Sequence, residues 1–308
     1  QPCSSAASDV YKRQDLNNQM RTREAINFVD PDIVFHLAAE THVDRSIEDP
    51  EIFVKSNFLG TFNLLEAVRL HWHKLKNTRK SNFRFIHVST DEVFGSCNGS
   101  QKFNEKSLYD PRSPYSASKA SSDHLVNAWH HTYKIPTIIS NCSNNYGPYQ
   151  FPEKLIPISI LRALKGLPID LYGDGLQVRD WLFVNDHVEA LILIADQGKV
   201  GQKYCIGGSE DDVTNLDIVK KLCFSLSRHK PNNKNYFDLI NFVRDRPGHD
   251  RKYAVDSRFI RESLGWIPKC KLSDGIDLTV KWYIDNLEWC ENVLKKSKYN
   301  FERIGLNE

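Results

Sequence analysis

The sequence contains no C-x-x-C pair, and its seven cysteines (Cys3, Cys97, Cys142, Cys205, Cys223, Cys270 and Cys290) are odd in number. That pattern fits neither a disulfide framework nor a zinc site, so a reducing cytosol and no bound metal are expected. Long hydrophobic runs are missing as well: nothing approaches the roughly 18 apolar residues that span a bilayer, and no lysine-led hydrophobic signal opens the chain. An excess of one charge sign is also absent. The 41 basic and 39 acidic residues leave a formal +2, too weak a field to argue for nucleic acid or a membrane surface as partner. Basic clusters such as HKLKNTRK and LKKSKYN read as solvated helix ends and loops, and there is no internal repeat or low-complexity tract. What is present is 308 residues, 40% hydrophobic and 26% charged, enough for one large globular domain or two modest ones.

Strand-like and helical patterns alternate along the first half, as in a parallel sheet covered by helices. DIVFHLAAE reads as a strand, and residues 58–70 as a helix with Leu64, Leu65 and Val68 on one face. FRFIHVST then reads as an inner strand, SASKASSDHLVNAWHHTYK as a long helix and TIISNCSN as a strand that ends in an Asn-rich loop. After about residue 149 the texture changes to shorter, Pro- and Gly-rich pieces (YQFPEKLIP, LPIDLYGDG, DRPGHDRKY). The expected class is α/β: a doubly wound parallel sheet with a smaller, loop-rich C-terminal lobe.

Two local patterns carry chemistry. STDEVFG puts Asp91 and Glu92 just past an inner strand, where open α/β sheets bind their ligands. Taken alone, such a pair equally caps a turn or faces water. In SPYSASKASSD, Tyr115 and Lys119 stand four apart and share a helix face. An ammonium beside a phenol favours the phenolate and so a general base, although Tyr-x-x-x-Lys also recurs by chance on many helices. Ser89 and Thr90, at the end of the preceding strand, add a third element.

These three elements together resemble the extended short-chain dehydrogenase/reductase family, Rossmann-fold enzymes that act on nucleotide sugars with bound NAD. Six blocks in order, HLAAETHVDRS, VSTDEVFG, SPYSASKASSDHLV, NCSNNYGPYQFPEKLIP, GDGLQVRDWLFVNDH and DRPGHDRKYAVD, are similar to the dTDP-glucose 4,6-dehydratase family. The resemblance implies an NAD-dependent hydro-lyase that oxidises C4 of dTDP-glucose, removes water across C5 and C6 and reduces C6, giving dTDP-4-keto-6-deoxyglucose. It implies that Tyr115 takes the C4 hydroxyl proton, that Lys119 lowers the tyrosine pKa and holds the nicotinamide ribose, and that Thr90 hydrogen-bonds the sugar oxygen. Asp91 is then the acid and Glu92 the base of the elimination. Around the cofactor the family pattern places Asp15, Leu16, Leu37, Ala38, Ala39, Ser56 and Asn145 together with Tyr115 and Lys119. Around the nucleotide sugar it places Thr41, Thr90, Asn144, Lys154, Leu155, Tyr172, Arg179, Asn215, Asp245, Arg246 and His249, the guanidinium groups suiting phosphate. It further implies a cytoplasmic homodimer paired through the helices that follow Ser56 and Tyr115. His36 reads as a structural strand-end histidine and Cys142 as a buried small residue. A dehydratase of UDP- or CDP-glucose shares the sugar-directed residues and stays open, as does an inactive nucleotide-sugar-binding remnant.

The sequence also departs from the family. No G-x-x-G-x-x-G precedes the first strand, Thr41 and Phe94 stand where Ser and Tyr are commoner, and the opening QPCSSAASDVYKRQ matches nothing in the family pattern. The expected organisation is a leader over 1–14, a Rossmann-like NAD-binding domain over 15–150 without its N-terminal glycine-rich strand-turn-helix, and a nucleotide-sugar lobe over 151–308.

Overall fold

A computed structural model describes residues 15–208, 212–233 and 235–297; the leader expected over 1–14 lies outside the described residues. Helix α1 (Gln19–Val29) leads into β1 (Ile33–His36), followed by the short helices α2 (Val43–Glu48) and α3 (Pro50–Phe53) and the longer α4 (Gly60–Lys74). The brief α5 (Asn77–Asn82) precedes β2 (Arg84–Thr90), and α6 (Pro114–Tyr133) connects that strand to β3 (Thr137–Cys142). β1 pairs with β2 and β2 with β3, all parallel. The strands and helices read from the sequence are therefore present, with β1 stopping at His36 so that Leu37, Ala38 and Ala39 emerge as a loop from its carboxyl end.

The chain then leaves the sheet. It forms β4 (Asn144–Tyr146), α7 (Leu155–Leu164), β5 (Ile169–Tyr172), β6 (Val178–Arg179), β7 (Trp181–Phe183) and α8 (Val184–Gln197) before β8 (Lys203–Ile206) returns to pair with β3. The resulting order is β1-β2-β3-β8. A division at residue 150 follows the change in texture, yet the sheet takes its fourth strand and the helix α8 from beyond it. The remainder comprises β9 (Val213–Thr214), α9 (Asn215–His229), β10 (Ile240–Val243), α10 (Arg258–Leu264), α11 (Leu272–Asp285) and α12 (Leu287–Ser297).

Both sheet faces are covered, which explains the nearly continuous apolar run of β2. Phe85 and Ile139 pack with Leu64, Leu65 and Val68 of α4 and Val126 of α6, while Ile86 and Ile138 pack with Leu191 and Ile194 of α8 and Ile260 of α10. A separate core holds the second lobe, where Ile156 and Ile160 of α7 meet Leu222 and Leu226 of α9 and Ile276 and Val280 of α11. Among the described residues β1 is an edge strand, and its Ile33 and Phe35 are exposed. No helix among the described residues is long and apolar enough to cross a membrane.

Candidate active site

The inner strand β2 delivers the site. It ends in buried Ser89 and Thr90, after which the backbone makes one 3₁₀ turn, Asp91–Phe94. The Thr90 hydroxyl organises that turn, accepting from the Glu92 amide at 3.2 Å and donating to Asp91 Oδ1 at 3.2 Å. Gly95 closes it at φ +79°, and a Cβ there would stand 2.5 Å from the Asp110 carbonyl oxygen. Only glycine reconciles that dihedral with that approach.

The two carboxyls meet unlike surroundings. Asp91 is 1% exposed, and its Oδ2 is buried with no hydrogen-bond partner. Burial pushes it well above the usual carboxylate range, and the neighbouring charges of Glu92 and Asp180 push the same way more strongly than Arg179 pulls back. Glu92 is half-buried. Burial raises it too, but Arg246, Arg179 and Lys154 all favour its ionised form. Unlike surroundings of this kind set neighbouring carboxyls apart, the one among like charges suited to act as acid and the one facing cations as base.

Across from this turn, α6 begins at a reciprocal Ser113–Ser116 cap with Pro114 in its first turn. Tyr115 in that turn is 7% exposed, and Lys119 one turn later is 4% exposed. Burial drives the Tyr115 phenol well up, helped by Glu92, Cys142 and Asp91, while a hydrogen bond with the Thr90 hydroxyl pulls the other way. This differs from the simple expectation that Lys119 brings the tyrosine down: removal from water, together with two carboxyls, outweighs it. The Lys119 ammonium donates to the Val88 carbonyl at 2.9 Å and is depressed by burial against the attraction of Asp123. Cys142 is buried and its thiol is pushed up to about 12 by burial, so it is no nucleophile. His36 is buried at the end of β1 with Nε2 2.8 Å from the Thr61 hydroxyl.

The expected dinucleotide residues lie along the carboxyl edge of the sheet. Leu37 is 57% exposed, Ala38 is exposed and Ala39 half-buried, so the exit of β1 is an apolar, small-residue ledge. Ser143 Oγ and Asn144 Oδ1, just past β3, are buried without hydrogen-bond partners. An open apolar ledge beside unpaired polar atoms fits the ring-and-ribose end of NAD. Asn145 is oriented by His187, whose Nδ1 lies 2.8 Å from Asn145 Oδ1. Leu16 is held against α4, where Asn63 Nδ2 donates to its carbonyl at 2.8 Å, and Asp15 is exposed. Ser56 sits in a π-helical segment, Val54–Leu59. Its neighbour Asn57 was not singled out from the sequence, yet its side chain accepts from the Glu40 amide at 2.8 Å and donates to the Glu40 carbonyl at 3.0 Å and to Ser118 Oγ at 2.8 Å. It ties the ledge to α6.

A cavity opens between the sheet edge and the second lobe. Thr41, Glu92, Asn144, Lys154, Leu155, Tyr172, Arg179, Asn215, Arg246 and His249 all line it. Asp245 and Thr90 do not; Asp245 braces the wall from behind, 2.6 Å from His249 Nδ1 and accepting from Gln177 Nε2 at 3.1 Å. Four lysine and arginine side chains line it, Arg162 and the three expected ones. Lys154 Nζ donates to the Thr41 carbonyl. The Arg179 guanidinium lies 4.3 Å over the Tyr253 ring and donates to the Asp250 carbonyl at 3.0 Å. Arg246 donates to Asp44 at 2.9 Å. Asp44 was missed in the sequence, where it looks like an ordinary helix-start acid; it also accepts from the Tyr172 hydroxyl at 2.7 Å. Burial opposes its charge, but Arg246 and Tyr172 hold it below the usual range. Among the described residues no group of three or more His, Cys, Asp or Glu side chains is placed to hold a metal ion.

Three comparisons bear on this geometry. The family model described as GDP-mannose 4,6 dehydratase matches residues 5–279. The dTDP-glucose 4,6-dehydratase of Xanthomonas campestris pv. campestris strain B100 is 49% identical over 301 residues, covering 97% of this chain and 85% of that protein. The dTDP-glucose 4,6-dehydratase of Neisseria meningitidis serogroup B is 54% identical over 280 residues, covering 89% and 78%. In structure, the chain is similar to DesIV, a dTDP-glucose 4,6-dehydratase from Streptomyces venezuelae crystallised with NAD bound, at a TM-score of 0.82 and 38% identity over 91% of this chain and 81% of that one.

Proposed function

The chain belongs to the GDP-mannose 4,6 dehydratase family, and from that premise we propose that it is an NAD-dependent dTDP-glucose 4,6-dehydratase, a hydro-lyase that converts dTDP-glucose to dTDP-4-keto-6-deoxyglucose. NAD, when bound, supplies the oxidising and reducing equivalents within one turnover. Leu37, Ala38, Ala39, Asn145 and Lys119 are the residues that would hold it, with Asp15, Leu16 and Ser56 at the periphery.

The chain's own residues divide the acid–base work. Tyr115 takes the proton of the C4 hydroxyl, with the Thr90 hydroxyl and the Lys119 ammonium favouring its ionised form, and Thr90 steadies the sugar oxygen. Oxidation at C4 makes the C5 proton acidic. Glu92 removes that proton, Asp91 gives its own to the departing C6 hydroxyl, and Glu92 returns a proton to C5 as C6 is reduced. Lys154, Arg179 and Arg246 hold the diphosphate, with Thr41, Asn144, Leu155, Tyr172, Asn215 and His249 completing the wall and Asp245 bracing His249. The single observation that carries this reading is the unlike setting of adjacent Asp91 and Glu92, one buried among like charges and the other facing three cations.

The enzyme acts as a cytoplasmic homodimer in this reading. Exposed Ile52, Val54, Leu59 and Tyr133 along the α3–α4 and α6 surface support pairing, and free cysteines at 97, 142, 205, 223, 270 and 290 support a reducing compartment. In function the chain divides into an NAD-binding part over 15–150 and a nucleotide-sugar lobe over 151–308, β8 and α8 serving the first part. Incubation of the purified protein with dTDP-glucose, UDP-glucose, CDP-glucose and GDP-mannose tests the assignment by mass loss of one water. Faster turnover of dTDP-glucose is expected; preference for another sugar nucleotide overturns the assignment.

A further inference from the structure

Behind the reacting groups lies a buried carboxylate that the proposed chemistry does not use. Asp123 is on α6, one helical turn past Lys119, and is 0% exposed. Its Oδ2 accepts from Ser89 Oγ at 2.8 Å, from the Tyr109 hydroxyl at 2.8 Å and from Asn141 Nδ2 at 3.3 Å, while His87 Nε2 lies 3.1 Å from its Oδ1. Three donors, from β2, β3 and the loop before α6, thus hydrogen-bond one oxygen of the carboxylate, and the His87 ring of β2 stands beside the other. A dry carboxylate on its own would take up a proton. Here burial is outweighed by His87, Lys119 and Tyr109, and Asp123 stays below its usual range.

The convergence has a beneficiary. Lys119 is buried at 4% exposure, its ammonium donates to the neutral Val88 carbonyl, and removal from water depresses it. The groups around it are His87 on β2, His36 on β1, Cys142 on β3 and Asp123 on its own helix. The two histidine rings meet at a tilt, 5.0 Å between centroids, and burial favours their neutral forms, so neither repels Lys119 nor balances it. The Cys142 thiol is protonated at neutral pH. Asp123 is the one fixed anion among them.

We propose that Asp123 is a positioning residue for Lys119: a buried carboxylate, held by three hydrogen-bond donors one helical turn away, that supplies the fixed counter-charge to the lysine and sets the spacing between α6 and the end of β2. The proposal rests on the reading of Tyr115 and Lys119 as the proton-abstracting pair. Ser89 precedes Thr90 directly, and Asn141 donates also to the Thr90 carbonyl at 3.1 Å, so the same anion that balances Lys119 locks the strand end carrying Thr90, Asp91 and Glu92. Charge and registry are served by one side chain.

The decisive variant is Asp123→Asn, which keeps size and one acceptor oxygen for Ser89, Tyr109 and Asn141 but removes the charge and turns an NH2 toward His87; Tyr109→Phe removes one hydrogen bond and keeps the charge. With Asp123→Asn, kcat for dTDP-glucose falls about tenfold or more, the equivalent of one unit of pKa, while KM stays within about twofold. The acid limb of the kcat profile moves to higher pH, because a neutral Lys119 no longer favours the Tyr115 phenolate. In substrate-free protein carrying ¹³C-labelled lysine, NMR shows Lys119 as an amine at neutral pH in this variant and as an ammonium in the parent. Tyr109→Phe keeps the parental limb and the parental Lys119 signal. A limb that moves to lower pH overturns the proposal, since that is the sign of a plain anion repelling the phenolate. So does an unchanged profile with only a lower melting temperature, or a Tyr109→Phe variant that reproduces the shift. Should Asp123→Asn not fold, the parent decides alone: an amine signal for Lys119 at neutral pH overturns the proposal. A Tyr115→Phe control that dehydrates at the parental rate removes the underlying reading, a failure separate from that of Asp123.

Discussion

Replacing Asp91 with Asn is expected to make the protein more stable and less active at once. The carboxyl is buried, has one hydrogen bond from Thr90 at 3.2 Å, and is pushed toward its protonated form by burial and by Glu92 and Asp180. A group whose pKa is raised on folding stabilises the native state fully only below its unfolded value and loses that contribution as pH rises toward the folded value. For Asp91 the loss begins near the ordinary 3.8. Each pH unit between that value and the folded-state pKa is worth about 1.4 kcal/mol. Asn is isosteric with the protonated acid and has nothing to titrate. Equilibrium urea unfolding of parent and variant should therefore coincide near pH 4 and separate progressively toward pH 7, the variant being the more stable. Activity moves the other way: dehydration falls on the order of 10²- to 10⁴-fold for want of a proton donor, while exchange of the C5 proton with deuterated water continues. A variant that unfolds at lower urea than the parent at pH 7, or a gap independent of pH, refutes the assignment of Asp91 as the buried neutral acid.

Glu92→Gln should lose dehydration by a similar 10²- to 10⁴-fold but, unlike Asp91→Asn, should also stop C5 proton exchange, which mass spectrometry of recovered sugar reads directly. Arg179→Ala should raise KM about tenfold or more with a smaller change in kcat, because a diphosphate contact is the same in ground and transition states; a collapsed kcat at constant KM would place Arg179 on the reacting sugar instead.

The central part of the site was legible because its residues are close in sequence and periodic. Tyr115 and Lys119 share a helix face by spacing alone, and Asp91 and Glu92 follow a run of strand residues whose end is easily seen. The opposite wall was not legible in that way. Tyr172 and the loop carrying Arg246 meet because β5 and β10 pair in parallel, Ile169 opposite Ile240 and Tyr172 opposite Val243, while Arg179 arrives on β6, paired with β9, and no local pattern announces either pairing. Strands of two or three residues such as β4, β6, β7 and β9 are too short to show a period at all. Asp44 and Asp123 escaped notice for a further reason. A lone acid in a helix looks solvated until the fold supplies its partners, and for Asp123 the partners come from positions 87, 89, 109 and 141. The Lys119–Asp123 spacing of four was visible, but its meaning depended on both being buried.

The late return of β8 has a consequence for synthesis. Residues 139–142 of β3 wait for residues 203–206 to complete their pairing, and Ile86 and Ile138 wait for Leu191 and Ile194 to cover them. All of β4 through β7, with the helix α7 whose own core needs α9 and α11, leaves the ribosome in that interval. A nascent chain of this protein therefore carries an uncovered β2–β3 face for some sixty residues of translation, and neither lobe can finish before the other has begun. Slow non-local closure of this kind is where chaperones act and where aggregation competes, so the yield of soluble enzyme should respond to translation speed more than to the stability of the finished fold.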